Sequence, residues 1–344
     1  MNSYERLKAM VEGKTVDRPG MAVWHHFYLD DHDAYDNVRT HIAFQERNDW
    51  DVLKIMSNGV YVQEQYGAEI IWSKDVTQFP ITRRRVVLSP RGFRHLKTVD
   101  VKSGPIAREV EVAKRLVDRY HGKVPVIANV FTPSTYAQEL YNGFQNPYAF
   151  AELAEYYPED LKAGLEVLVD VTRKIVEEYV KAGVDGIFYA SQHMYDAGMT
   201  REQFQIFGKP YDLKAIEPAV EGCWFNMLHV HGDRNLYFDI AKDYPLQALN
   251  WEDILSGISL AEVHQMAPEK ILAGGIDRHN DFRVGNREEQ LQHMLKRIKE
   301  AEAQVPANKL IIAGGCAQDT DIPDYRYDTL RQAMEMTYGS IENY

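Results

Sequence analysis

Two histidines and a cysteine carry the sharpest chemical signal in this 344-residue chain. His229 and His231 stand two apart in the apolar run WFNMLHVH, and residues two apart on a strand point the same way. The pair is therefore preset to hold one ion or to flank one proton-transfer site. Cys316 closes another apolar run, LIIAGGC, behind two glycines that allow close approach. Two imidazoles and one thiolate form a three-ligand zinc set with an open fourth position, the arrangement of catalytic zinc. Spacing alone leaves an alternative, in which both histidines are hydrogen-bonded pocket residues and Cys316 is a small buried hydrophobe. The other cysteine, Cys223, reads as packing. One pair of thiols so widely separated builds no disulfide framework, which points to a reducing cytoplasm.

These residues need a scaffold that brings them together. Short apolar runs recur at 21–27, 52–56, 124–130, 186–190, 224–231, 248–251, 271–276 and 310–316. Most are continuous rather than alternating, as expected of strands covered on both faces. Amphipathic helices lie between them, at 158–182, 287–304 and 327–338 among others. Eight strands alternating with helices predict a single-domain (β/α)8 TIM barrel spanning residues 1–344. An open doubly wound sheet is the second choice, but the first strand leads into MAVWHHFYLDD without a glycine-rich phosphate loop.

Composition narrows the function classes. Lys plus Arg is 39 and Asp plus Glu is 51, for a net charge of −12, which argues against a nucleic-acid binder. No apolar run approaches the length of a membrane span, and MNSYERLKAMVEG carries charges where a signal peptide needs an apolar core. A small-molecule substrate is expected.

In a barrel the site forms at the C-terminal ends of the strands, which turns the strand list into a residue list. It delivers His25 and His26, Asn58, Tyr136, Ser191 and His193, Asn250 and Trp251, and Asp277 to one face, beside the metal set. His25 and His26 point to opposite sides, so at most one looks inward. We expect Tyr136, Asp277 and His193 in catalytic roles, and His25, Asn58, Ser191 and Trp251 against substrate. Asp277 could instead cap the turn GGIDRHN. His121, His264 and His293 read as surface residues on helices. Between the second and third strands lies a long excursion, in which 86–96 (VVLSPRGFRHL) reads as a hairpin with a Pro-Arg-Gly turn. Its basic residues Arg83, Arg84, Arg85, Arg91, Arg94 and Lys97 suit either a solvated edge or a lid or docking surface for an anionic group.

The order of several segments resembles the uroporphyrinogen decarboxylase superfamily nearly end to end. They are ERLKAMVEGKTVDRPGMAVW, FTPSTY at 131–136, VDGIFYAS at 184–191, HVHGD at 229–233, GGIDR at 274–278 and AGGCAQDTDIPD at 313–324. The resemblance implies the (β/α)8 barrel independently of the strand count. It also sets two branches against each other. The decarboxylases follow strand one with Met-Arg-Gln-Ala-Gly-Arg, whereas this chain has His25-His26-Phe27-Tyr28-Leu29 and no arginine. Their catalytic Asp is matched here by Asn58, and their His after strand eight by Cys316; only Tyr136 and Ser191 match in kind. The zinc methyltransferases carry His-x-Cys-Gly-Asp and Gly-Cys, matched by His229-Val230-His231-Gly232-Asp233 and Gly315-Cys316. The resemblance therefore implies a zinc-dependent methyltransferase linked to methylcobalamin or a corrinoid protein, with a homodimer as the common state. A metal-free carboxy-lyase using Tyr136, His193 and His231 is the alternative, and a non-catalytic binding protein docking through the basic excursion is a third reading.

Overall fold

In the computed structural model, which describes residues 1–143, 146 and 148–341, the strands are β1 (Gly20–Ala22), β2 (Leu53–Lys54), β3 (Glu69–Ile71), β4 (Ile81–Arg84), β5 (Val126–Phe131), β6 (Gly186–Ser191), β7 (Met227–Val230), β8 (Ala248–Trp251), β9 (Ile271–Ile276) and β10 (Leu310–Gly314). Eight of them run parallel in the order β1-β10-β9-β8-β7-β6-β5-β2. Helices surround them, so the chain is the expected (β/α)8 barrel. β5, β6, β9 and β10 are buried along almost their whole length, which is why their sequences run continuously apolar.

The helices follow from their patterns. Pro158–Lys181 starts on a proline, needs no donor there, and buries Leu161, Leu165, Leu168, Ile175 and Tyr179 on one face. Arg287–Glu302 begins with a capping box, in which the Asn286 side chain accepts from Glu289 N while the Glu289 side chain reaches back.

The ladder ends at β1 and β2, and among the described residues the hydrogen bonds between them run through Asp51. Asp51 N donates to Met21 O at 2.8 Å, and Met21 N donates to the Asp51 carboxylate at 2.8 Å. That carboxylate also receives Ser3 Oγ at 2.8 Å, Arg6 Nη1 at 2.5 Å and Arg18 Nη1 at 2.6 Å. The cluster is fully buried at the N-terminal ends of the strands. It explains the Asp17-Arg18-Pro19 signature: Asp17 pairs with Arg6, and Arg18 with Asp51.

The excursion after β2 does bear a hairpin, but not at the expected place. β3 and β4 pair antiparallel, with Arg83 bonded across the strands to Glu69 at 2.9 Å. Residues 86–96 instead form a 3-10 turn over Pro90–His95. Phe93 is the reason, because it is buried against Gly164 of the long helix, where a Cβ would come within 2.4 Å of its ring. A hairpin would carry that ring into solvent. Arg94 pairs with Asp160 on the same helix, so the basic stretch is partly neutralised within the fold.

Candidate active site

A cavity of about 610 Å³ opens at the C-terminal ends of the strands. Its position follows from strand parity. β6 and β7 are in register with Ala190 beside His229, and β7 and β8 with His229 beside Asn250. Residues in this phase face the barrel axis, so Phe188, Ala190 and Gln192 line the cavity from β6 and His229 and His231 from β7.

The three expected metal ligands converge. One ligand atom from each of His229, His231 and Cys316 lies within 4.8 Å of the others. Cys316 Sγ stands 3.6 Å from His229 Nε2, near the roughly 3.5 Å between ligand atoms around tetrahedral zinc. The glycine directly before Cys316 is needed there, since a Cβ on Gly315 would lie 2.5 Å from the backbone of Glu252. Burial pushes the Cys316 thiol up, but the neighbouring imidazoles of His229 and His231 outweigh it and hold the thiol well below its ordinary range.

Asn250 decides which nitrogen of His229 is available. Its Nδ2 donates to Ala273 O at 2.9 Å and Gly314 O at 3.0 Å, so its Oδ1 must act as acceptor. His229 Nδ1 lies 2.7 Å from that oxygen and carries the proton, leaving the Nε2 lone pair aimed at Cys316. The buried Nδ1 of His231 has no hydrogen-bond partner among the described residues. A locked lone pair, an unpartnered imidazole nitrogen and a thiolate together fit a soft divalent cation such as zinc.

The remaining expected site residues do not reach the cavity. Ser191, His193, Trp251 and His25 have the opposite strand parity and point outward. His25 stacks on Tyr327 and pairs with Asp324, while His26 lines the cavity instead. Trp251 packs on Phe238 and donates to Ile258 O. His193 bonds Ser134 and Gln138 behind the wall, and burial pushes it down to about 3. Ser191 is completely buried. Tyr136 is also behind the wall, its hydroxyl 2.7 Å from that of Tyr61 and accepting from Phe131 N. Asn58 caps its own loop through Val60 N. Asp277 takes the capping role left open for it, accepting from His279 N and Asn280 Nδ2.

The residues that do line the cavity were in part passed over in the sequence. Trp24, Lys54, Asn129 and Gln192 come from strands β1, β2, β5 and β6 or their ends, and Arg278 and Gln318 from the loops after β9 and β10. Lys54 had a signal of its own, a lysine inside the apolar run VLKIM. Among the helix-borne histidines, His121 is exposed as expected, but His293 bonds Asp281 at 2.7 Å and is only partly exposed.

Residues 30–336 match the family model described as uroporphyrinogen decarboxylase (URO-D). A methyltransferase from Methanosarcina mazei superposes with a TM-score of 0.82 at 16% identity, over 98% of this chain and 99% of that one. A B12-independent methionine synthase from Shewanella sp. W3-18-1, in complex with selenomethionine, gives 0.55 at 17% identity, over 88% and 87%. A putative vitamin-B12 independent methionine synthase from Listeria monocytogenes gives 0.51 at 13%, over 92% and 95%. At such identities these likenesses speak for the fold. No curated protein matches the sequence significantly. Among the described residues no helix is long and apolar enough to cross a membrane.

Proposed function

The chain belongs to the uroporphyrinogen decarboxylase family, and from that membership and the site geometry we propose that it is a zinc-dependent, corrinoid-linked methyltransferase acting on a small molecule. The observation that carries this reading is the convergence of His229, His231 and Cys316 at the floor of the cavity. Zinc held by these three residues would lower the pKa of an acceptor's thiol or hydroxyl and so supply a nucleophile there. The chain's own residues do the rest. Asn250 holds the His229 tautomer, Phe188 stacks on the His229 ring at 5.2 Å and keeps water from that side, and the aromatic walls seat the acceptor. His26 is pushed down to about 3 by burial, with the nearby Lys54 charge adding to it, so it enters the reaction as a neutral imidazole. The methyl donor would be methylcobalamin or a corrinoid carried by a partner protein and presented at the cavity mouth.

The metal-free carboxy-lyase reading is less well supported by the geometry. Two of its three proton-handling groups, Tyr136 and His193, are behind the cavity wall and committed to other partners.

Metal analysis of the purified full-length protein tests the proposal. We expect one zinc per chain in the wild type and its loss in Cys316→Ala, with loss of methyl transfer from methylcobalamin to a thiol or alcohol acceptor. A folded wild-type protein that takes up no zinc would overturn it.

A further inference from the structure

The cavity holds a buried lysine that burial pushes down to about 7, against the pull of the Cys316 charge. Lys54 enters it from β2 and is only 7% exposed. Among the described residues it forms no ion pair with a carboxylate; its polar contact is Met56 Sδ, 2.8 Å from Nζ. A thioether is a weak acceptor, and an ammonium has three donors to satisfy. The ring faces of Phe188 and Trp24, with centroids 4.3 and 5.7 Å from Nζ, return part of the lost hydration but not a counter-charge. The guanidinium on the walls, Arg278, is already engaged by Glu252 and by Ala317 O. A second group in the same cavity is equally incomplete. Gln318 is 2% exposed, and among the described residues neither its amide oxygen nor its amide nitrogen has a hydrogen-bond partner. Buried polar groups are almost always bonded, so two of them left open in one cavity mark where a ligand completes the structure.

We propose that Lys54 and Gln318 receive the oxyanion, a carboxylate, of a small substrate whose apolar body lies against Trp24 and Phe188. On the methyl-transfer reading, on which this naming of the ligand rests, that substrate is the methyl acceptor, and its other end reaches the His229–His231–Cys316 site. An acceptor of this class is bifunctional: a carboxylate at one end and a nucleophilic heteroatom at the other. The oxyanion site itself depends only on the cavity.

Benzoate is the probe, titrated calorimetrically into the full-length protein after chelation and again after zinc loading. Benzoate binds both forms, and its uncharged isostere benzamide binds at least about tenfold more weakly. Lys54→Met, which keeps the length of the side chain and removes the charge, weakens benzoate by about tenfold or more and leaves benzamide unchanged, while Lys54→Arg retains benzoate. The proposal is overturned if benzoate fails to bind, if it binds no better than benzamide, or if its affinity survives Lys54→Met. Should Lys54→Met fail to fold, the wild-type benzoate-to-benzamide ratio decides alone. Benzoate that binds only in the presence of zinc sits on the metal and overturns this proposal without touching the metal reading. A protein that takes up no zinc yet binds benzoate through Lys54 does the reverse.

Discussion

At the scale of single residues, the proposed site depends on one amide set behind His229. Asn250 is held by two backbone carbonyls and in turn holds His229. Asn250→Leu has a similar volume but cannot accept from Nδ1, so the imidazole is free to present the wrong tautomer. Zinc affinity should fall by about 10–100-fold, as measured by competition with a chromogenic chelator, while the fold is kept. An unchanged affinity would remove Asn250 from the design. His231 stands where the related methyltransferase signature has a cysteine. Replacing a thiolate by an imidazole takes one negative charge out of the ligand set, which makes a bound metal a stronger Lewis acid and a bound thiolate a weaker nucleophile. This favours acceptors harder to deprotonate than thiols.

At the scale of elements, the convergence of His229, His231 and Cys316 was legible because chemistry and parity agree: His229 and His231 are two apart, and Cys316 follows a glycine-cleared strand end. Four of the other expected residues lie away from the cavity for one physical reason. The C-terminal end of a strand delivers residues alternately to the axis and to the helices, and residue type alone does not say which phase faces in. His25, Ser191, His193 and Trp251 are chemically suitable and one residue out of phase; His26, Gln192 and Asn250 are their inward neighbours. The phase could have been carried across from His229, had the strand register been known. Phe93, likewise, reads as part of a hairpin in sequence because its anchor, Gly164, is far away along the chain. The floor of the barrel shows the opposite case, a sequence signature with a purely structural purpose. Asp51→Ala leaves Arg6 and Arg18 buried without this shared counter-charge and should cost about 3–5 kcal/mol. The check is chemical denaturation, with zinc content per folded chain unchanged because the floor lies at the opposite end of the strands from the metal set.

At the scale of the whole molecule, several carboxyls are buried with their acidity weakened. Burial raises Asp212 to about 7 despite hydrogen bonds from Tyr244 and Tyr189. It raises Asp253 to about 7 despite bonds from Gly275 N, and Glu109 to about 7 despite Arg108. In the unfolded chain such groups titrate near 4. The folded state therefore holds these protons more tightly. The stability they contribute is fully present below about pH 4 and is lost as pH rises through about 7. Thermal melting followed from pH 5 to pH 8 should show a falling midpoint. Asp212→Asn, which resembles the protonated form at every pH, should flatten that slope by its share. A profile with the same slope in both proteins would mean that Asp212 is ionised in the fold.

The junction of β1 and β2 has a consequence for how the cavity behaves. Elsewhere round the barrel each strand is laced to the next by ladder bonds, while here, among the described residues, the hydrogen bonds across the junction run through Asp51. Trp24, His26, Lys54 and Met56 hang from the two strands on either side of that junction, and His229, His231 and Cys316 from strands within the lacing. Fewer shared bonds mean a lower cost of local opening. The cavity is thus walled by strands laced on both sides, behind His229, His231 and Cys316, and by two strands laced on one side, which should adjust more readily to what is bound against them. Differences in substrate size would be absorbed at those two strands, and the spacing of the ligand atoms would stay the same.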